Sequence, residues 1–314
     1  MKQKQFELQF SPLWGEVENS LKEKSETASN LPEQYRRLCQ CLALALQRGY
    51  SPTLTNYLQK LVFDAHQKLY GTSVERPILL RQWLGVEFPR LVRAEWRLLL
   101  ATIVAYWGIA LGLGTLVWFY PEWANSFISP DELSRYQSMY QPGSISKGRG
   151  AEGDVEMFGR YIWNNVSICF RTFAGGIFAG IPALISIVFN GMHMGVVGSW
   201  LSQDAVTRET FWPFVITHNS FEITGLLLSG LAGMRIGSSL IHPGRLSRRH
   251  AVFAASQRIF PVIVGAALLT VLAAFFEAFW SANANISANT KFFVGTICWI
   301  SVIGFFLFAG RTKR

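Results

Sequence analysis

The sequence predicts an all-α membrane protein with about six transmembrane helices and a cytoplasmic N-terminal helical bundle. Half of its 314 residues are hydrophobic and 16% are charged, against about 25% charged residues in typical soluble domains. Several apolar runs approach or exceed the roughly 20 residues that span a bilayer. The first run begins near Leu98. We therefore assign residues 1–96 to the bundle with an interfacial segment, and residues 97–314 to a transmembrane domain.

The net charge of +9 reflects membrane topology rather than a nucleic-acid-binding patch. Basic clusters lie at Arg90–Arg97, Arg245–Arg258 and Arg311–Arg314, each beside an apolar run. Basic loops are retained on the cytoplasmic side of a membrane. Six crossings with both termini inside satisfy all three clusters. We therefore expect a multi-pass protein of the bacterial cytoplasmic (inner) membrane, in contact with membrane lipids and with no nucleic-acid partner.

Three short helices are predicted before the membrane domain. They begin at Ser11-Pro12, Leu31-Pro32 and Ser51-Pro52, because proline is favoured in the first turn of a helix. Apolar residues recur at helical spacing after each start, so the three helices can pack as a bundle. From Pro77 to Arg97, arginines alternate with Leu, Trp and Phe, a pattern typical of a helix lying in the cytoplasmic membrane interface.

Six membrane crossings are predicted from the apolar runs. They are Leu98–Tyr120, Trp163–Phe189, Asn190–Ser202, Phe211–Leu240, Ile259–Trp280 and Phe292–Gly310. In the first, Gly108 and Gly112 have the four-residue spacing that allows close helix packing. Residues 121–160 are polar and rich in Gly and Pro, and are assigned to an extracytoplasmic loop with a short helix at Tyr136–Tyr140.

Four ionisable residues are placed in the outer half of the bilayer by their distance from the predicted helix ends: Arg171, His218, Glu222 and Glu277. His218 and Glu222 are four residues apart and share one face of a helix. Ionisable groups within a membrane are costly and usually functional. These four residues are therefore the candidate site.

Three interpretations of the polar cluster remain open. In the first, Arg171 pairs with a glutamate and locks the bundle. In the second, the cluster lines a cavity that opens outward and binds a lipid head group, a peptide or an ion. In the third, His218, Glu222 and Glu277 bind Zn or Mn, for which one imidazole and two carboxylates are an acceptable ligand set, and Glu222 or Glu277 is a catalytic candidate.

Other polar residues within the apolar runs are interpreted as structural. Asn164, Asn165 and Asn190 are expected to cap helices or to bond across them. His193 is placed toward the inner half of the membrane and is interpreted as a core or interfacial histidine. The four cysteines, Cys39, Cys41, Cys169 and Cys298, are expected to be free thiols.

Residues 160–280 resemble the stage II sporulation protein M family of polytopic membrane proteins. The resemblance rests on an ordered set of features: Asn164-Asn165, Phe170 to Gly176, Asn190-Gly191, Gly195, His218 with Glu222, Gly230, Gly233, Gly237, Pro243-Gly244, Arg248 and Glu277. One departure is Asn219, where the family more often has glycine.

The resemblance implies a membrane scaffold. In endospore formers, the resemblance implies a scaffold that acts together with peptidoglycan-degrading partners. In bacteria that do not sporulate, it implies an association with AAA+ ATPases and von Willebrand A-type proteins. We expect a non-enzymatic scaffold or adaptor in an envelope-remodelling or stress-related complex. The alternatives are an intramembrane metal-dependent hydrolase using His218, Glu222 and Glu277, and a transporter of a small or lipidic substrate. Small-residue surfaces would also suit a homodimer.

Overall fold

The computed structural model describes residues 1–22, 30–70, 80–141 and 151–311, and the regular structure in these ranges is helical. This confirms the all-α prediction. The contacts divide the chain into two units, Met1–Leu79 and Leu80–Arg314. Most of the glycine-rich stretch Gly143–Gly153 lies outside the described residues.

The first unit contains three helices, α1 (Gln3–Lys22), α2 (Leu31–Gln47) and α3 (Pro52–Tyr70). Phe6, Leu38 and Leu58 are fully buried in its core. The predicted start of the first helix at Ser11 is wrong, because the buried ring of Phe6 extends the apolar face of α1 toward the N-terminus. Pro12 consequently lies inside that helix.

The second unit holds the membrane helices. Its helices are α4 (Phe88–Ala94), α5 (Trp96–Phe119), α6 (Ala124–Phe127), α7 (Pro130–Met139), α8 (Ala151–Ala174), α9 (Ile181–Gln203), α10 (Ala205–Ile241), α11 (Arg248–Phe275) and α12 (Ala288–Phe308). A π-helical turn, Trp83–Glu87, precedes α4, and another, Phe276–Ser281, continues α11. In the described part of the chain, five helices are long and apolar enough to cross a membrane: α5, α9, α10, α11 and α12. The chain is therefore a membrane protein.

One end of this unit, here named the basic face, is held together by arginines. The guanidinium of Arg93 donates two hydrogen bonds of 2.7 Å to carbonyls at the end of α12. The carboxylate of Glu95, whose side chain is 10% exposed, pairs with Arg235 and Arg258 at 3.3 Å each. The segment Leu80–Glu95, which belongs to the predicted interfacial segment, packs within the second unit.

The opposite end, here named the loop face, carries α6 and α7. The side chain of Gln203 at the end of α9 donates to the Trp118 carbonyl of α5 at 3.1 Å. The hydroxyl of Thr210, near the start of α10, donates to the Tyr140 carbonyl that follows α7. α5 and α9 therefore both end at the loop face and run parallel, and α10 returns toward the basic face.

The helix break between α8 and α9 differs from the prediction. We expected one crossing to end at Phe189 and a short one to begin at Asn190, and both boundaries are wrong. The chain turns at residues 175–180, where Ala179 and Gly180 have φ of 57° and 79°. Pro182 then occupies the first turn of α9, as its fixed φ favours. α9 is thus one continuous helix of 23 residues.

Close glycine contacts hold the membrane helices together. A Cβ added at Gly191 of α9 would lie 2.5 Å from the backbone oxygen of Tyr106 on α5. Likewise, a Cβ added at Gly176, in the turn that follows α8, would contact the backbone of Gly233 on α10. Gly108 and Gly112 make no such contact within the described part of the chain, since nothing lies within 4 Å of a Cβ added at either position.

Candidate functional site

Three of the four ionisable residues predicted for the site come together. His218 and Glu222 lie on α10, and Glu277 lies in the π-helical turn after α11. One ligand atom from each, an imidazole nitrogen or a carboxylate oxygen, lies within 4.8 Å of the other two. We name this group the His–Glu–Glu centre.

The centre lies in the half of the membrane unit nearer the loop face. The hydroxyl of Thr217, next to His218, approaches the Lys291 carbonyl in the first turn of α12 at 3.4 Å. α12 begins at the loop face, where residues 282–287 connect it to the π-helical turn. The sequence likewise predicted these residues in the half of the membrane nearer the loop 121–160.

The imidazole of His218 is fixed by its neighbours. Its side chain is 3% exposed, and its Nδ1 atom lies 3.0 Å from the hydroxyl oxygen of Ser281. The Phe214 ring meets it edge-on, with 5.3 Å between the ring centres. With Nδ1 engaged by Ser281, the Nε2 atom is the nitrogen available to a ligand.

An asparagine pair on α8 supports the second carboxylate. The Asn165 amide, which is buried, lies 3.5 Å from Oε2 of Glu277 and can donate to it. Asn164, on the exposed side of the helix, donates to the Asn165 side-chain oxygen at 2.9 Å. The expected cross-helix bonding of this pair therefore links α8 to the centre.

A cavity with both polar and apolar walls adjoins Glu222. Its volume is about 140 Å³, which is enough for water molecules because one water occupies about 30 Å³ in the liquid. The cavity is formed by α5, α8, α9 and α10, with polar side chains from Tyr106, Asn165, Asn190, His193, Asn219 and Glu222. The centre is thus bordered by space for solvent or a small ion.

Arg171 does not join the centre, and the predicted pairing with Glu222 or Glu277 is not present among the described residues. Its side chain is exposed in the last turn of α8. α8 descends from the loop face, so Arg171 lies about 9 Å beyond Asn165 at 1.5 Å per residue. The prediction failed because it started the helix at Trp163, whereas α8 begins at Ala151.

His193 lies farther toward the loop face than predicted. It occupies the middle of α9, and its Nε2 atom is 3.0 Å from the Tyr136 hydroxyl on α7. The false helix start at Asn190 had placed it near the inner end of a crossing. Asn190 itself donates to the Ser186 carbonyl of its own helix at 2.8 Å, and it lines the cavity beside Glu222.

Comparison with known families identifies the membrane unit. Residues 97–282 match the family model described as Stage II sporulation protein M (SpoIIM), which is more than half of the chain. The chain belongs to the SpoIIM family. Residues 4–71, which contain the helices of the first unit, match a separate model described as Domain of unknown function (DUF8413). The SpoIIM match contains all three residues of the His–Glu–Glu centre and ends before α12.

A curated relative is similar over a shorter stretch. An uncharacterised protein of Methanocaldococcus jannaschii is 30% identical over 79 residues, which are 25% of this chain and 44% of the relative. The matched stretch thus spans less than half of that relative. No solved structure matches the chain.

Two residues beside the centre were not predicted from the sequence. Ser281, which contacts His218, was assigned to the loop after the fifth crossing. Lys291 is 8% exposed, and its ammonium group donates to the Ser281 carbonyl at 2.8 Å. Neither residue carries a sequence signal for this role, because both stand at helix ends where polar residues are ordinary.

Proposed function

We propose that this SpoIIM-family protein is a membrane scaffold or adaptor of the cell envelope. The observation that carries the proposal is the contrast between its two units, a close-packed membrane unit and a separate small helical bundle. Backbone-to-backbone glycine contacts, such as that of Gly191 with Tyr106, bring the membrane helices close together. The cavity beside Glu222, about 140 Å³ in volume, is below the 300–1,000 Å³ typical of sites for small organic molecules. A larger and more open pocket of about 510 Å³ lies along α5 and α9.

The basic face is the side we assign to the cytoplasm. Arg90, Arg93, Arg245 and Arg249 lie at or beside this face, and positively charged loops are retained on the cytoplasmic side. Both termini then lie in the cytoplasm of a bacterial inner-membrane protein. The loop face, with α6, α7 and the nearby His–Glu–Glu centre, is turned toward the cell envelope.

The N-terminal bundle is the proposed docking module for a cytoplasmic partner. The family resemblance implies an AAA+ ATPase in this role, with envelope enzymes as partners of the membrane unit. The bundle exposes Leu8 by 78% and Phe63 by 60%. Exposed apolar side chains of this kind can supply contact area to a protein interface.

The test is assembly of the full-length chain with an AAA+ ATPase in native membranes. We expect Phe63→Ser and Leu8→Ser to weaken co-purification of the ATPase at least tenfold. Asp64→Ser, which changes an exposed polar residue beside Phe63, should leave it unchanged. Undiminished ATPase recovery with a double Leu8, Phe63 variant that still melts as the wild type does would contradict the docking role of the bundle.

A further inference from the structure

We propose that the His–Glu–Glu centre is a binding site for one divalent transition-metal ion, zinc or manganese. His218 would supply Nε2, and Glu222 and Glu277 would each supply a carboxylate oxygen. The inference concerns this site and does not depend on the scaffold role.

The arrangement of the three residues fits a metal ion. Imidazole nitrogens and carboxylate oxygens both bind zinc, and catalytic zinc sites combine three protein ligands with a further position for water. Ligand atoms about 2.0–2.1 Å from a tetrahedral zinc are about 3.4 Å apart. The atoms of the centre lie within 4.8 Å of one another, so small side-chain rotations would close the site.

Charge favours a cation at this position. Two carboxylates at this separation repel each other when both are ionised, and both of these side chains are partly exposed. A divalent ion between Glu222 and Glu277 replaces that repulsion with two attractions. A neutral imidazole completes the set without adding charge.

The outer contacts are those that orient metal ligands. A histidine that binds metal through one nitrogen almost always donates its other N–H group to a neighbour, and ligating carboxylates are themselves hydrogen-bonded. Here Ser281 lies 3.0 Å from Nδ1 of His218, and the Asn165 amide lies 3.5 Å from Glu277. These contacts leave Nε2 of His218 as the nitrogen available to a metal ion, and they hold the Glu277 carboxylate beside α8.

The local backbone and the cavity provide a second line of support. Glu277 and Ser281 both belong to the π-helical turn Phe276–Ser281, and single π-helical turns within α-helices are frequent at functional sites. The cavity beside Glu222, about 140 Å³ in volume, has room for a water molecule at an open coordination position. The site thus has three candidate ligands, hydrogen-bond partners for two of them, and space for solvent.

Metal content of the purified full-length chain tests the proposal. Protein in nanodiscs is stripped with a chelator, equilibrated with Zn²⁺ or Mn²⁺ and assayed by mass spectrometry of the metal. We expect one ion per chain in the wild type and background levels in His218→Ala and Glu222→Gln. His242→Ala, an exposed histidine at the end of the same helix, should retain the ion. Ser281→Ala should lower the affinity about 10–100-fold.

X-ray absorption on the zinc-loaded wild type keeps the test decisive if the variants fail to fold. We expect a first shell of nitrogen and oxygen with one imidazole, and no sulfur at about 2.3 Å. The proposal is overturned by a wild-type chain that binds no stoichiometric ion, or by a thiolate in the shell. An ion that His218→Ala and Glu222→Gln both retain would also overturn it.

Discussion

An added methyl group at Gly191 should distinguish a glycine packed against backbone from one that faces open space. In Gly191→Ala, the new Cβ would lie 2.5 Å from the Tyr106 carbonyl oxygen and 3.1 Å from its Cα. Ordinary carbon–oxygen contacts are about 3.3–3.6 Å, so α5 and α9 would have to separate by roughly 1 Å. The obstacle is backbone, which cannot rotate away as a side chain can.

The magnitude follows from two opposing terms. Forcing a methyl group into a well-packed interface costs about 1–3 kcal/mol, and a rigid backbone obstacle places Gly191 at the upper end. Replacing glycine by alanine within a helix contributes about 1 kcal/mol of helix propensity. We therefore expect Gly191→Ala to lower the free energy of unfolding by about 1–2 kcal/mol.

Gly108→Ala on α5 is the matched control. No atom beyond its own helix lies within 4 Å of the new Cβ, so only the helix propensity gain of up to about 1 kcal/mol remains. Both variants are unfolded in mixed micelles with increasing SDS, and labelling of the buried thiols of Cys169 and Cys298 reports unfolding. Equal stability of the two variants would show that α5 and α9 do not pack through Gly191.

Three further variants test the two faces of the membrane unit. Arg93→Ala should increase hydrogen exchange at the end of α12 at least tenfold, because it removes two 2.7 Å bonds to the last carbonyls; unchanged exchange would argue against this contact. Glu95→Gln should destabilise the chain by about 1–3 kcal/mol, since it leaves two arginines without their shared carboxylate, and its melting temperature in detergent gives the measure. Tyr136→Phe should lower stability by about 0.5–1.5 kcal/mol through loss of the bond to His193, whereas Tyr120→Phe, an exposed tyrosine of the same region, should have no effect.

Hydropathy predicted the fold class because a bilayer fixes both the length and the composition of a crossing. The same signal failed at residues 175–180, since glycine, alanine and isoleucine keep the local hydropathy high where the chain turns. The pairing of Gly180 with Pro182 did mark the break: one tolerates the left-handed conformation and the other favours a helix start. Weighing turn chemistry above hydropathy would have placed α9 correctly.

The candidate site was predictable where it depends on a single helix. The four-residue spacing of His218 and Glu222 fixes their common face, and depth along the fifth crossing brought Glu277 to the same level. Arg171 was misplaced because the polar first half of α8 was assigned to a loop. The contact between His193 and Tyr136 joins residues far apart in the sequence, and no local pattern encodes it.

The geometry of the centre depends on the packing of α10 against α11. Gly225 of α10 faces Thr270 of α11, and a Cβ at Gly225 would lie 2.7 Å from that side chain. The two helices are antiparallel, so the order of contacts reverses between them: His218 meets Ser281 and Glu222 meets Glu277. The two residues on each side are four positions apart, so a single alignment of the helices forms both contacts. Because a slip of one residue turns a helix by about 100°, it would break both contacts at once, and it would also displace Thr270 from Gly225.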